Sequence, residues 1–226
     1  MQRVIQACKS GVLNYAEIVC VVASKPEAGG ITKALAEGVA SSDVLVHKPK
    51  SYESSDHFGE ALLREFRTRG VDFVAQLGWL PLTPAVLVEA YRNMMSNQHP
   101  GPLRPDHRDF GGKGMYGRRV HAARLNFVRA TNRNFWTEAV CQRVATAFDE
   151  GSVIKMRRIE IRSEDDTTAL QERVLPIEHD VQIEALDDIS QNRATELTFN
   201  DDLVLSGEES ILQQAKDAAI QEWPNG

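Results

Sequence analysis

The apolar run at residues 17–23 (EIVCVVA) is the feature that most constrains the fold of this chain. Flanked by polar residues, such a run is typical of a strand that is buried on both faces. The helix expected after the second strand places Phe58, Leu62 and Phe66 on one stripe and ends at Gly70. Repeated alternation of strand and helix favours right-handed βαβ units and a parallel sheet covered on both faces.

The same patterns extend along the chain, whose 226 residues suit one α/β domain of generous size. Further strands are predicted at residues 43–47, 71–79, 94–99, 137–145 and 152–162. Helices are predicted at residues 30–38, 55–70, 84–92, 117–129, 166–186 and 207–221. Residues 195–205 are predicted to form a β-hairpin that turns at Asn200 and Asp201.

Composition excludes several classes of protein. There is no run of eighteen apolar residues, so we expect no transmembrane helix and no membrane partner. The first residues lack the apolar core of a signal peptide, and the three cysteines are too few and too scattered for a disulfide framework. We therefore expect a cytoplasmic protein with buried thiols. The spacing of His107, His121 and His179 does not suggest a metal site, and we expect these side chains to be structural or solvent-facing.

Charge is unevenly distributed along the chain. Residues 101–135 contain eight Lys and Arg against two acids, whereas residues 160–226 contain seventeen acids against four bases. The basic segment could attract an anionic substrate, but for most of its arginines we expect a solvated helix face. Only 7% of residues are aromatic and they do not interleave with basic ones, so we expect no nucleic-acid partner.

Residues 97–100 (NQHP) end the strand predicted at 94–99. In a strand, side chains two residues apart point to the same side, so Asn97 and His99 would share one face while Gln98 takes the other. Pro100 would end the strand and leave the pair at its carboxyl end, where ligands of such sheets bind. The segment could equally be an ordinary hydrogen-bonded turn.

Four segments in order resemble the folate-dependent formyltransferase family. They are residues 77–84 (LGWLPLTP), 97–100 (NQHP), 148–154 (FDEGSVI) and 173–179 (RVLPIEH). The family pattern is Asn-x-His-Pro followed by an Asp-x-Gly-x-x-Ile turn, and the likeness is greatest to the members that formylate glycinamide ribonucleotide. Although Asn-x-His-Pro alone is weak, the ordered set is fairly specific and covers most of residues 3–188.

This resemblance implies a Rossmann-like α/β fold with a mostly parallel twisted sheet and helices on both faces. Residues 1–188 would form the formyltransferase domain, and residues 189–226 would add a hairpin and a helix without a counterpart in the family. The implied reaction transfers a formyl group from 10-formyltetrahydrofolate, bound as a co-substrate, to the amine of glycinamide ribonucleotide in purine biosynthesis. The implied partners are these small molecules, with no metal, and the protein would act as a monomer or homodimer.

The resemblance also implies roles for individual residues. Asn97, His99 and Asp149 match the catalytic trio, and Glu178 matches an acid that contacts the ribonucleotide. The residues matching the folate pocket are Trp79, Leu80, Leu82, Ala145 and Thr146. Lys113, in the segment GGKG, is a further candidate for a phosphate contact, as is Arg118, although the full phosphate-loop pattern is missing.

These residue types suit formyl transfer. A substrate amine attacks the formyl carbon, and the side-chain amide of Asn97 can donate a hydrogen bond to the developing oxyanion. The imidazolium of His99 can donate as well and can protonate the leaving folate nitrogen. The carboxylate of Asp149 can pair with His99 and can take the proton of the amine through a water.

The chain departs from the family at two places. Residues 1–8 (MQRVIQAC) resemble the middle of the family's first helix, so the preceding interior strand and its phosphate loop have no counterpart. We expect that the sequence begins late; alternatively the chain folds around a gap, or the basic segment 104–119 makes a different phosphate contact. Gln142 stands where many relatives carry a histidine, and we assign it no acid–base role because an amide does not titrate.

Two other functions remain open at this level. The same fold could formylate another amine, such as that of an amino sugar nucleotide. The chain could also be a truncated, catalytically silent member that acts as a binding module; the missing phosphate loop favours this, and the intact set of Asn97, His99 and Asp149 argues against it.

Overall fold

The computed structural model describes residues 1–106 and 108–226, so the expectation for His107 lies outside the described residues. The helices are α1 Gln2–Ser10, α2 Gly29–Ala36, α3 Ser55–Thr68, α4 Ala85–Ala90, α5 Arg118–Thr131, α6 Thr167–Ser190 and α7 Glu209–Glu222. The strands are β1 Val21–Ala23, β2 Val44–Val46, β3 Val74–Gln76, β4 Met95–His99, β5 Trp136–Arg143 and β6 Val153–Glu160. Except for the hairpin predicted at residues 195–205, each predicted strand and helix has its counterpart, with the first three strands shorter than expected.

The strands form a mixed arrangement. The β1–β2 and β3–β4 pairs are parallel, as the βαβ pattern predicts. The β4–β5 and β5–β6 pairs are antiparallel, and the short connection between β5 and β6 explains the second of them because a parallel pair needs a crossover of a dozen or more residues. The α/β class is confirmed, and the parallel geometry is confined to the first half of the chain.

The strands divide into a two-stranded sheet, β1–β2, and a four-stranded sheet, β3–β4–β5–β6. Side chains nevertheless bridge the two sheets on both faces. On one face Val22 and Val74 pack in the same cluster under α3, and on the other Ile18 and Ala75 share a cluster with α1 and α6. The two sheets thus pack within the same helical layers.

Helix α3 shows how local sequence forms these layers. The Ser54 hydroxyl accepts a hydrogen bond from the His57 backbone amide at 3.1 Å and so satisfies one of the free donors of the first turn. The predicted stripe of Phe58, Leu62 and Phe66 is buried, which confirms the period of the helix. Gly70 follows the helix at a φ of 65°, a conformation that glycine adopts without a steric penalty.

The hairpin predicted for residues 195–205 is wrong, since this segment contains no strand. Its apolar side chains serve as anchors instead: Leu203 and Val204 are buried in a cluster with α5 and α7. One backbone bond, from Leu197 N to Val153 O at 2.8 Å, attaches the segment to β6. The helix predicted after it is confirmed as α7, while the division of the chain at residue 188 stays a prediction.

The expected solvated face of the basic segment is also wrong for several arginines. Arg104, Arg119 and Arg124 are buried, each 8% exposed or less. Arg104 pairs with the carboxylates of Glu138 and Asp201, and Arg119 and Arg124 donate to backbone carbonyls. The basic segment and the acidic tail are thus partners inside one molecule, because burying a guanidinium is tolerated only where its hydrogens find acceptors.

The thiols of Cys8, Cys20 and Cys141 are free, and Cys141 is buried while the other two are partly buried. Burial raises the pKa of the Cys141 thiol to about 12. Among the helices in residues 1–106 and 108–226, none combines the length and apolarity needed to cross a membrane.

Candidate active site

Strand β4 separates two sets of side chains by simple alternation. Ser96 and Gln98 point towards α6, where Gln98 donates to the carboxylate of Glu178 and Ser96 lies 3.4 Å from the Gln182 amide. Asn97 and His99 therefore lie on the opposite face, as the sequence predicted. That face borders the loop after β4 and the turn between β5 and β6.

The turn between β5 and β6 carries Asp149 back over the end of β4. Asp149 has a φ of 59°, a left-handed conformation that aspartate tolerates better than most residues. The turn presses closely on β5: a Cβ at Gly151 would lie 1.7 Å from the carbonyl oxygen of Arg143. Glycine at 151 is therefore required for the path that delivers the carboxylate.

The structure brings Asn97, His99 and Asp149 together around one carboxylate oxygen. Asp149 Oδ1 lies 3.5 Å from Asn97 Nδ2 and 3.6 Å from His99 Nδ1. The side chains of His99 and Asp149 are only 3% and 10% exposed. At these separations the attraction is electrostatic with at most a long hydrogen bond, so a reacting group can still compete for the amide and imidazole hydrogens.

Gln142 is a site residue that the sequence analysis left without a role. Its Nε2 donates to Asp149 Oδ1 at 2.7 Å, a shorter contact than that made by Asn97 or His99. Gln142 lies opposite Asn97 in the β4–β5 register, and this pairing is what places both amides beside the carboxylate. In the sequence, Gln142 and Asp149 are only seven positions apart, on either side of the start of a turn. This closeness points to a contact only when the β4–β5 register is known.

The loop at residues 109–114 closes the site from the side opposite β5. Gly112 N donates to Asp149 Oδ2 at 3.0 Å, and His99 Nε2 lies 3.2 Å from the carbonyl oxygen of Phe110. A carbonyl oxygen only accepts, so Nε2 carries a hydrogen and Nδ1 is the nitrogen that faces Asp149. Gly111 leaves room for this approach, since a Cβ there would lie 2.8 Å from the Cβ of Asp149.

A small cleft of about 40 Å³, open to solvent, lies beside the trio. Asn97, Gln142 and Asp149 line one side of it. The residues that form the rest of its lining are Gln76, Trp79, Pro81, Leu82, Thr83, Arg143, Val144, Ala145, Ala147 and Phe148. The cleft thus joins a polar end at the trio to a largely apolar wall.

The predicted folate residues divide into two groups. Trp79, Leu82 and Ala145 line the cleft, and Trp79 is held by stacking on Phe58 with ring centroids 6.3 Å apart. Leu80 and Thr146 are exposed and do not contribute to the lining. The two ends of the 76–83 segment are tied together by a hydrogen bond of 2.6 Å from Gln76 to Thr83, which supports the apolar wall.

The predicted substrate residues lie apart from the trio. Glu178 is only 6% exposed and is bonded to Gln98, on the face of β4 that α6 covers. Burial raises the pKa of its carboxyl to about 7, and the hydrogen bond from Gln98 opposes that rise. Lys113 is exposed on the 109–114 loop, whereas Arg118 donates to Gln171 at 3.0 Å.

Across residues 1–106 and 108–226, no three or more His, Cys, Asp or Glu side chains converge in a group that could hold a metal ion.

An α/β sheet with an amide, an imidazole and a carboxylate at a strand end is an arrangement suited to a group-transfer enzyme. Comparison with known proteins identifies the family. The chain belongs to the formyl transferase family, whose family model matches residues 1–186. Membership implies a folate-derived formyl donor and small-molecule substrates.

Named relatives agree with this assignment. The chain is 30% identical over 193 residues to the chloroplastic phosphoribosylglycinamide formyltransferase of Arabidopsis thaliana, covering 85% of this chain and 62% of that protein. It thus spans about three fifths of the length of that curated relative. Glycinamide ribonucleotide transformylase 1 from Geobacillus kaustophilus is 28% identical, with a TM-score of 0.69 over 83% of this chain and 90% of that one. The enzyme of the same name from Symbiobacterium toebii shares the fold, with a TM-score of 0.72 over 87% of this chain and 88% of that one at 24% identity.

Proposed function

We propose that this chain transfers the formyl group of 10-formyltetrahydrofolate to the primary amine of glycinamide ribonucleotide. The observation that carries the proposal is the convergence of Asn97 and His99 on Asp149 Oδ1, at 3.5 and 3.6 Å, beside an open cleft. Relatives named for this activity cover most of the chain and support the choice of substrates.

In the proposed reaction the amine nitrogen attacks the formyl carbon, and the carbonyl oxygen becomes an oxyanion. Asn97 Nδ2 is positioned to donate to that oxygen because its bond to Asp149 is long and easily exchanged. Collapse of the intermediate re-forms the carbonyl and breaks the bond from carbon to the folate nitrogen. That nitrogen takes a proton from His99, and the proton lost by the amine passes to Asp149 through a water.

Asp149 is held ready for this task by two fixed donors. Gln142 Nε2 contacts Oδ1 at 2.7 Å and Gly112 N contacts Oδ2 at 3.0 Å. These two hydrogen bonds fix the orientation of the carboxylate beside the cleft. Because Gln142 is held in the β4–β5 pair, its amide stays beside the carboxylate during the reaction.

The two substrates would occupy different ends of the site. The apolar wall that contains Trp79, Leu82 and Ala145 suits the flat pteridine of a folate. The exposed ammonium of Lys113 is proposed to meet the phosphate of the ribonucleotide. Glu178 is retained as a proposed contact of the same substrate, and reaching it would require the exchange of its bond to Gln98.

The test is a formyl-transfer assay with purified chain, 10-formyltetrahydrofolate and three acceptors: glycinamide ribonucleotide, an amino sugar nucleotide and no amine. Turnover with glycinamide ribonucleotide alone is expected, and His99→Ala should lower kcat by roughly a hundredfold or more. Glu53→Gln, at an exposed residue of the loop before α3, is the control. Faster turnover with the amino sugar nucleotide would mean that this amine, and not glycinamide ribonucleotide, is the substrate. Folate binding without turnover would indicate a binding module.

A further inference from the structure

Helix α7 lies against the active-site loop, although the tail has no part in the reaction as proposed. Lys216 Nζ, near the middle of α7, donates to the carbonyl oxygen of Gly111 at 3.0 Å. Gly111 stands between Phe110, whose carbonyl faces His99, and Gly112, whose amide bonds Asp149. One hydrogen bond from the tail thus reaches the centre of the loop that contacts two members of the trio.

The 109–114 loop is anchored at its start, where Phe110 is fully buried and Asp109 Oδ1 accepts a hydrogen bond from Gly111 N at 2.8 Å, but its later part is rich in glycine. Three of its six residues are glycine, and Gly112 and Gly114 have φ angles of 100° and 88°. Glycine allows this path but lowers its stability, because an unrestrained glycine segment has many other conformations. Contacts from outside the loop therefore add to these anchors in keeping Gly112 against Asp149.

The tail supplies such contacts at the centre and at the carboxyl end of the loop. Besides the bond from Lys216 to Gly111, the side chain of Ile220 reaches within 3.6 Å of the position a Cβ would take at Gly114. Arg119 donates to the Gly114 carbonyl at 3.0 Å and to the Trp223 carbonyl, just past α7, at 2.7 Å. The loop is thus held between α5 and α7.

The setting of Lys216 is unusual for a lysine of a surface helix. Its side chain is partly buried, and burial lowers the pKa of the ammonium while the carboxylates of Asp109 and Asp149 oppose that shift. A partly desolvated ammonium is retained where acceptors and opposite charges compensate it. Here the acceptor is the loop carbonyl and the opposite charges include the proposed catalytic carboxylate.

We propose that Lys216 is a positioning residue of the active site, which holds the 109–114 loop so that Gly112 and Phe110 keep Asp149 and His99 in place. The inference rests on the proposed formyl-transfer function for its kinetic consequence, but not for the contact itself. Lys216 would touch no substrate and would act through the loop.

The experiment compares the full chain with Lys216→Met, Lys216→Arg and Gln214→Met, the last being an exposed position on the same helix. Amide hydrogen exchange over residues 108–117 is the readout that does not depend on activity. We expect exchange there to rise roughly tenfold in Lys216→Met, to stay near wild type in Lys216→Arg and to be unchanged in Gln214→Met. In the formyl-transfer assay, kcat of Lys216→Met should fall roughly tenfold with KM values within about twofold.

Two results would overturn the proposal. One is unchanged loop exchange in Lys216→Met. The other is faster exchange spread equally over α5 and α7 with a lower Tm, which would make Lys216 an ordinary packing residue. If Lys216→Met does not fold, Lys216→Gln is measured in its place against the same criteria. A wild-type chain without formyl transfer would refute the proposed function, while the exchange pattern would still decide the role of Lys216.

Discussion

The two faces of β4 carry the same chemistry in opposite settings. On one face the amide of Asn97 meets the carboxylate of Asp149 beside an open cleft, and on the other the amide of Gln98 meets the carboxylate of Glu178 under α6. Asp149 receives further hydrogen bonds from Gln142 and from a backbone amide. Glu178 has Gln98 as its donor and is 6% exposed.

This contrast shows that the setting of a carboxylate, more than its identity, determines what it can do. Asp149 accepts hydrogen bonds from Gln142 and Gly112 at the edge of an open cleft, where a substrate can reach it. Burial with a single donor raises the pKa of Glu178 to about 7, so its neutral form is stabilised. We infer that the face of β4 with Asn97, the open face, takes part in the reaction. On the face with Gln98, the closed face, a carboxylate is buried at a cost in folding free energy.

The largest expected effect is a difference in kcat between two variants in which a carboxylate is changed to the matching amide. Asp149→Asn should lower kcat by roughly a hundredfold to ten-thousandfold, because the amide cannot accept the proton of the amine. Glu178→Gln is the matched change on the other face and should leave kcat within about tenfold. Steady-state kinetics of both variants provide the measurement, and equal losses in kcat would remove the distinction between the faces.

The second effect concerns stability and tests the closed face. The pKa of Glu178 is raised from 4.5 when unfolded to about 7 when folded, so the folded state binds more protons between these values and loses stability as the pH rises through them. Glu178→Gln should therefore be more stable than wild type at pH 8, by up to about 3 kcal/mol, and gain nothing at pH 4. Urea unfolding at both pH values measures this difference.

Glu53→Gln serves as the control for that experiment, because its carboxylate is exposed and should show no such dependence on pH. A Glu178→Gln variant with the same stability gain at pH 4 and pH 8 would refute the raised pKa. A large rise in KM for glycinamide ribonucleotide in this variant would support the predicted substrate contact of Glu178.

A smaller effect tests the donors of the two carboxylates. Gln142→Met keeps the length of the side chain but removes the hydrogen bond to Asp149, and kcat should fall roughly tenfold. Gln98→Met removes the donor to Glu178, and kcat should change by less than about twofold. The same assay compares Gln142→Met with Gln98→Met. An unchanged kcat in Gln142→Met would mean that Gly112, Asn97 and His99 hold Asp149 without Gln142.

The smallest effect concerns the apolar wall beside the open face. Leu82 lines the cleft and Leu80 does not, although both are exposed. Leu82→Ala should raise KM for 10-formyltetrahydrofolate roughly threefold to tenfold, since several methyl and methylene groups lose contact with the ligand. Leu80→Ala should leave this KM unchanged. Equal effects at both positions would mean that the folate does not bind in the cleft.

Much of this architecture could be predicted from local patterns. The apolar runs and the stripe of Phe58, Leu62 and Phe66 predicted the strands and helices, because periodicity reports which faces are buried. Alternation along β4 predicted that Asn97 and His99 share a face from which Gln98 is excluded. Each of these inferences needed only residues that are close in sequence.

The errors arose where distant segments compete for the same groups. The hairpin predicted at residues 195–205 failed because Leu203 and Val204 are drawn into the cluster of α5 and α7. Arginines expected on a solvated face are buried because the tail and β5 provide acceptors for them, as Glu138 and Asp201 do for Arg104. Neither partner can be identified before the chain is folded.

The sequence by itself determined the class of fold, since strand period and turn chemistry are local properties, and its resemblance to a known family predicted the roles of Asn97, His99 and Asp149. Only the tertiary structure placed Gln142 on Asp149, enclosed Glu178 beneath α6 and brought Lys216 to the active-site loop. These contacts join residues from different strands, helices and loops, and they form only where the register of β5 and the packing of α6 and α7 allow. The physical reason is that hydrogen bonding and desolvation depend on neighbours in space, which the order of residues does not specify.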